Sequence, residues 1–304
     1  MTTSSPELCP LTRKPGHVIR QRKPAELAES YASYCGASLP AGTIDKYFAS
    51  EVTEYYLESS GLRWYAPCNL GDGDYYSTLA AIYPWYYNPG SWDKLAALEI
   101  IKRSSFAQVV EVGSGSGWFL SRLKEHKIKS FGVEINPKEV KACRKQGLTV
   151  YFPDEVPDSN SAIGCLCLFQ TIEHVSDPVD FLKNYTRRFN PRELVLSAPC
   201  FESLLGLTKD PLSWPPHHAT AWSNRAFETL ASLLGYRVVN TSYSPLSYDE
   251  FESRLQREGC RKLPGLPPIP GGRLGHYTFR VARKLGFHWA CRGHSILVVM
   301  RRII

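Results

Sequence analysis

The sequence predicts an α/β chain: a doubly wound, mostly parallel sheet with helices on both faces and a late antiparallel strand, preceded by a smaller amino-terminal module. Three observations predict it. Strand and helix patterns alternate from residue 91 onward. The strands read as short, continuous apolar runs, as expected where both faces of a sheet are covered. The first of them, residues 108–112, runs directly into a string of glycines.

Taken in order, residues 24–36 read as a short helix, with Pro24 in its first turn and Gly36 just past its end. The rest of residues 1–90 is rich in Tyr, Ser and Pro and shows only short periodic pieces, so it is read as a separate module. Between 64 and 92 stand Trp64, Tyr65, Tyr75, Tyr76, Tyr83, Trp85, Tyr86, Tyr87 and Trp92. So dense an aromatic set makes a core, part of which could line a ligand pocket.

The second unit spans 91–304. Ser91 is placed to cap a helix whose apolar positions include Leu95, Leu98, Ile100 and Ile101. After the strand at 108–112 come a helix over 118–127 and a strand over 131–135. Asn136 caps a helix that Pro137 opens and Gly147 stops. Strands over 148–152 and 162–169 follow, the second of them buried. Asp177 and Pro178 start a helix reaching Phe189, and a strand over 193–198 ends at Pro199. Ser223 caps a helix running to Gly235, with Trp222 and Phe227 placed for a hydrophobic staple. The late strands are 236–243 and 294–301. Crossovers in such a sheet are right-handed, and its ligand sits at the carboxyl ends of the strands.

Segment 244–293 interrupts this scheme. It begins as a loop rich in proline and glycine, through Pro264, Pro267, Pro268, Pro270, Gly271 and Gly272, and becomes basic and amphipathic over 277–287. One reading is a solvated insertion whose Arg and Lys stems snorkel. The other is a cap that attracts an anionic substrate, or a peripheral membrane contact through 273–302.

Composition bounds the class. At roughly 150 residues per domain, 304 residues make one large domain or two modest ones. Hydrophobic residues at 43% and charged residues at 21% describe a globular chain. The net charge of +7 is unevenly placed: after residue 250, eleven Lys and Arg stand against Glu252 and Glu258, a local +9. No apolar run approaches the roughly 20 residues needed to cross a bilayer. Residues 1–10 lack a basic stretch followed by an apolar one, so no secretory signal is expected. Nine scattered cysteines fit a reduced, cytoplasmic chain. No CxxC pair exists, so no metal is expected. Cys165 and Cys167 read as small apolar residues of a strand.

The strongest chemical signal is Val109-Val110-Glu111-Val112-Gly113-Ser114-Gly115-Ser116-Gly117. Glycines let the backbone turn sharply and approach a ligand closely, and the helix that follows offers free N–H groups to an anion. The pyrophosphate fingerprint GxGxxG would need a third glycine where Trp118 stands, so it fits badly; the spacing here is GxGxG. The next strand leads into Glu134, 17 residues after Gly117. An acid there can accept hydrogen bonds from both hydroxyls of a ribose. Its plainer reading is a surface acid at a strand end, and the pairing with the glycine loop favours the first.

At this point the chain resembles the class I S-adenosylmethionine-dependent methyltransferases, which have a Rossmann-like fold. Val110 to Gly117 is similar to their first motif, and Glu134 to their ribose-binding acid. Phe169-Gln170-Thr171-Ile172-Glu173-His174-Val175-Ser176-Asp177-Pro178 is similar to the LEHV-x-DP signature of one large branch. Pro215-Pro216-His217-His218, followed by Trp222-Ser223, is similar to a PHH…W-S segment of the same branch. The resemblance covers about residues 90–245 and is specific in combination. Upstream, some relatives carry a zinc module of paired CxxC knuckles and then a GD…FY…WYY stretch. Here Cys9-Pro10-Leu11-Thr12 and Glu58-Ser59-Ser60-Gly61-Leu62 stand without partner cysteines, while Gly71-Asp72-Gly73-Asp74-Tyr75-Tyr76 and Trp85-Tyr86-Tyr87 remain, which describes a metal-less remnant.

The resemblance implies S-adenosylmethionine as cofactor. Glu111, Gly113, Ser114, Gly115 and Gly117 would serve its amino-acid part, Glu134 its ribose, and Pro153 or Asp154 its adenine. Gln170 and Thr171 would floor the site. If the acceptor is a hydroxyl, a base is needed, and His174, His217 and His218 are the candidates. For His174 the alternative is a structural histidine at a helix entry, and for the other two a loop anchor. The acceptor expected is a small molecule, glycan or nucleotide sugar bearing phosphate, which suits the basic carboxyl-terminal stretch. A non-catalytic cofactor-binding scaffold is the alternative; the complete glycine loop with Glu134 argues against it. Nucleic acid is not expected as a partner, because basic and aromatic residues interleave only around Phe279, Phe287 and Trp289.

Overall fold

The computed structural model describes residues 7–83, 86, 90–104, 106–157, 163–203, 211–246, 252, 272–285 and 292–303. Its amino-terminal part holds three antiparallel strands, β1 (His17–Arg22), β2 (Val52–Leu57) and β3 (Leu62–Ala66), with helices α1 (Pro24–Cys35), α2 (Ala41–Tyr47) and α3 (Gly73–Ile82) around them. The helix expected over 24–36 is α1, with Gly36 in the left-handed conformation at its end. The strands were not legible because their polarity does not alternate. Every β1 residue but one is exposed. In β2 the buried run includes Glu54, only 1% exposed, whose carboxylate accepts from Arg20 Nε at 2.5 Å and Arg63 Nη1 at 3.3 Å. An ion pair across neighbouring strands lets an acid occupy an inward position.

The two knuckle-like segments meet beside this sheet. Cys9 Sγ donates to Ser60 Oγ at 3.4 Å, and the Ser60 hydroxyl donates in turn to the carbonyl of Leu57 at 3.0 Å. Cys9 and Leu11 then pack with Tyr55, Leu62 and Trp64 into the main core.

From Trp92 the expected alternation appears: α4 (Trp92–Lys102), β4 (Val109–Val112), α5 (Trp118–Glu125), β5 (Ser130–Val133), α6 (Pro137–Lys145), β6 (Val150–Tyr151), β7 (Cys165–Phe169), α7 (Pro178–Phe189), β8 (Glu193–Pro199), β9 (Thr220–Ala221), α8 (Asn224–Leu234), β10 (Tyr236–Pro245), α9 (Gly272–Lys284) and β11 (Arg292–Arg302). Seven strands form one sheet in the order β10-β11-β8-β7-β4-β5-β6. β8, β7, β4, β5 and β6 are parallel, and β11 runs antiparallel to both β8 and β10. Period-two alternation assigns the strand faces. Val110, Leu166 and Leu168 face α7 and α8, whereas Val109, Cys165 and Cys167 face α4 and α5. Both cysteines are fully buried and serve as apolar residues.

Several details differ from expectation. Ser91 does not cap α4 with its hydroxyl, which donates instead to Asp93 Oδ1 at 2.5 Å, and Asp93 Oδ1 accepts from Lys94 N at 3.0 Å. Leu95 is exposed, and Ala97 takes a core position. Much of the 244–293 insertion lies outside the described residues, as do Trp85 and Tyr87; α9 begins five residues before the amphipathic stretch read from the sequence. Among the described residues, no helix is long and apolar enough to cross a membrane.

β9 does not join the large sheet. Thr220 and Ala221 pair with Trp64 and Arg63 of β3, so the amino-terminal sheet takes its fourth strand from beyond β8. The next residues lock this junction. The Ser223 hydroxyl accepts from Ala226 N at 3.1 Å, capping α8, and donates to the Gly61 carbonyl at 2.6 Å. Gly61 has φ of +69°, and a Cβ there would lie 2.6 Å from that hydroxyl, so only glycine fits. Trp222 stacks on Phe227 at 4.7 Å, forming the expected staple. Ser223→Ala removes a cap and strands a buried carbonyl, so it should lower the unfolding free energy by about 2–3 kcal/mol in denaturant titration.

Candidate active site

The loop after β4 opens at Gly113 (φ +76°), where a Cβ would fall 2.5 Å from Thr171 Oγ1. Glycine therefore lets the loop lie directly against the end of β7. Nothing lies within 4 Å of a Cβ placed on Gly115, which faces open space. At the end of β5, Glu134 turns back toward this loop. Its Oε2 accepts from Gly115 N at 2.7 Å, and its Oε1 accepts from Ile135 N and Asn136 N, both at 2.8 Å. Backbone donors thus hold the carboxylate at the carboxyl edge of the sheet.

A second carboxylate organises the other side of β4. Asp93, 2% exposed, accepts from Ser197 Oγ at 2.5 Å and from Gln170 Nε2 at 3.1 Å on one oxygen, and from Ser91 Oγ on the other. It ties the start of α4 to the ends of β7 and β8 and aims Gln170, whose φ of +48° marks a forced turn. Sequence reasoning missed Asp93 because an acid in a first helical turn is common. Only the fold brings Gln170 and Ser197 to it.

Glu111 lies beneath the site. Its carboxyl is fully buried, 3.5 Å from Lys94 Nζ, and burial pushes it up to about 7. It does not reach the cavity wall. Ser114 and Gly117 are likewise buried under the loop, the latter against α6. Asp154 is exposed and stands outside the wall, which its neighbour Pro153 lines. None of these four lines the cavity, whereas Gly113, Gly115, Glu134, Gln170 and Thr171 do.

The three histidines converge. His174 belongs to a single 3-10 turn (Ile172–His174) after β7, and its Nδ1–H donates to the His217 carbonyl at 2.6 Å, with Tyr76 Oη 3.1 Å away. His217 and His218 stack at 4.5 Å, and both meet His174 nearly edge-on, at 4.8 and 4.9 Å. Burial pushes His174 down to about 4, and burial with mutual repulsion pushes the other two well below the usual imidazole value. All three rings are neutral near pH 7. Beside them Glu173 is 1% exposed, and burial pushes its carboxyl up to about 8.

Their loop is held from three directions. Trp214 packs on Tyr65 at 4.8 Å and lies under the guanidinium of Arg20 at 4.7 Å. Pro216 O accepts from Gly71 N at 2.8 Å, and Ala219 N donates to Glu173 O at 2.7 Å. One cavity of about 1150 Å³ joins the glycine loop, Glu134 and the three histidines, and Tyr76, Tyr86 and Trp92 of the aromatic stretch also line it.

A family model described as a methyltransferase domain matches residues 86–262. No curated protein matches. Among solved structures, the chain is similar to an S-adenosylmethionine-dependent methyltransferase from Archaeoglobus fulgidus, with a TM-score of 0.50 and 17% identity over 69% of this chain and 92% of that one. It is also similar to one from Mesorhizobium loti, with a TM-score of 0.47 and 13% identity over 70% of this chain and 99% of that one. The family match covers more than half of the chain, which therefore belongs to the methyltransferase-domain family. It is an enzyme, and S-adenosylmethionine is its cofactor. The residues fit that group: a backbone-held carboxylate suits ribose hydroxyls, and the open space at Gly115 admits a ligand against the loop.

If Glu134 holds the ribose through two charge-assisted hydrogen bonds, Glu134→Ala should weaken S-adenosylmethionine binding about a hundredfold or more in calorimetric titration. Glu111 gives a pH signature. Its folded pKa lies above its unfolded one, so the native state holds the proton longer and stability falls as pH rises from the ordinary carboxylate range to about 7. Glu111→Gln should narrow the drop in denaturation midpoint between about pH 5 and about pH 8.

Proposed function

We propose that this methyltransferase methylates a hydroxyl of a small-molecule or glycan acceptor carrying phosphate, such as a nucleotide sugar. The observation that carries the reading is the single cavity shared by the glycine loop, Glu134 and the three histidines. Sites for one small ligand span about 300–1,000 Å³, so about 1150 Å³ suits cofactor and acceptor together. Glu134 follows β5 and His174 follows β7, on opposite sides of β4. This arrangement supports an acceptor on the histidine side.

S-adenosylmethionine, when bound, supplies an activated methyl group on a sulfonium. The chain's own residues then bind, orient and exclude water. Gln170, held by Asp93, and Thr171, whose hydroxyl donates to the Phe169 carbonyl at 2.9 Å, form a stiff floor. Tyr76 and Tyr86, whose rings meet His174 and His217, wall the acceptor side. Lys94 and Arg188 line the same cavity and supply the cations that a phosphate would meet. An imidazole held as low as His174 is a weak proton acceptor at neutral pH. Orientation of the acceptor therefore carries more of the catalysis than proton removal, and proximity can contribute about 7–11 kcal/mol at best.

The test is a screen of nucleotide sugars as acceptors, read as methylated product by mass spectrometry. A methylated sugar hydroxyl supports the reading, and methylation confined to amine or thiol acceptors overturns it. His218→Ala should misplace the acceptor, keeping S-adenosylmethionine affinity nearly intact while turnover falls about a hundredfold. Unchanged turnover would take His218 out of the site.

A further inference from the structure

The histidine cluster has more order than acceptor binding requires. One nitrogen from each of His174, His217 and His218 can be chosen so that all three lie within 4.8 Å of one another. The residues come from two segments 43 apart in sequence, each held by backbone hydrogen bonds. The His174 Nδ1–H bond to the His217 carbonyl fixes its tautomer, so Nε2 carries the lone pair. That is how a protein prepares an imidazole for a metal, orienting the ring through its other nitrogen. A second observation points the same way. His217 Nδ1 is buried without a hydrogen-bond partner, and so are both carboxyl oxygens of Glu173, which lines the same cavity. Buried polar atoms are normally satisfied, so unpartnered ones grouped around a cavity indicate a missing partner.

We propose that His174, His217 and His218 bind a divalent transition-metal ion of the zinc class on the acceptor side of the cavity. Three imidazoles about 2.0–2.1 Å from one ion stand about 3.3 Å apart, which small side-chain rotations reach from the observed cluster. An all-nitrogen set suits zinc, iron, nickel or copper and disfavours magnesium and calcium, which take oxygen. Three protein ligands leave a position open to the cavity, where an acceptor oxygen would sit and be acidified by the ion. The site would thus supply the activation that the histidines as bases supply poorly; this consequence rests on the acceptor reading above, whereas the metal site itself does not.

The test uses the full chain, free of any affinity tag, stripped with chelator and titrated with cobalt(II) alone and then zinc(II). The expected result is saturable one-to-one binding with visible cobalt d–d bands that zinc abolishes, and no competition by magnesium. His217→Ala and His218→Ala should each weaken the metal at least about tenfold, and His126→Ala, on the exposed end of α5, should not. Glutamine variants of the same two positions preserve the readout if the alanine variants fail to fold. Absence of saturable binding to the folded wild type, or binding that survives both substitutions, overturns the proposal. S-adenosylmethionine titration of the metal-free protein runs alongside. Cofactor binding without metal binding rejects the metal site and leaves the methyltransferase reading standing.

Discussion

The described part of the loop between β8 and α8 joins the amino-terminal sheet and lines the cavity at the edge of the large one, and the geometry of the site depends on that. Its end is a strand of the amino-terminal sheet through Thr220 and Ala221. Its middle carries His217 and His218 into the cavity at the carboxyl edge of the large sheet. The link is made by backbone hydrogen bonds and close packing, both short-ranged. Displacing Trp214 from Tyr65 and Arg20 would therefore displace the histidines with it. The amino-terminal sheet is thus the wall against which the histidine side of the cavity is built.

Three acids near the site follow different physical rules. Glu134 is held by backbone N–H groups. Asp93 is held by Ser91 just before α4, Gln170 just after β7 and Ser197 of β8. Both meet several hydrogen-bond donors in the fold. Glu111 has only Lys94, at 3.5 Å, and burial raises its proton affinity instead.

Much of the large sheet was legible because its signals are local. Gly113 to Gly117 and Glu134 act within a strand-loop-helix unit and the strand beside it, and Ser223 with Trp222 and Phe227 acts within one helix turn. The module before residue 90 was less legible. Glu54 sits inward only because Arg20 and Arg63 arrive from neighbouring strands. Asp93 reads as an ordinary first-turn acid until β7 and β8 are placed beside it.

By itself the sequence determined the order of strands and helices after residue 91 and the glycine loop, because apolar periodicity, capping and backbone freedom are properties of adjacent residues. Tertiary structure alone decided which of those residues touch the cavity. Glu111, Ser114 and Gly117 lie beneath it although they belong to the glycine motif, and Asp154, after β6, lies outside it. It also decided that His174 and His217, 43 residues apart, share a hydrogen bond. Convergence of distant segments depends on how two sheets dock, and docking is settled by the shape and burial of whole faces, which short-range sequence patterns do not encode.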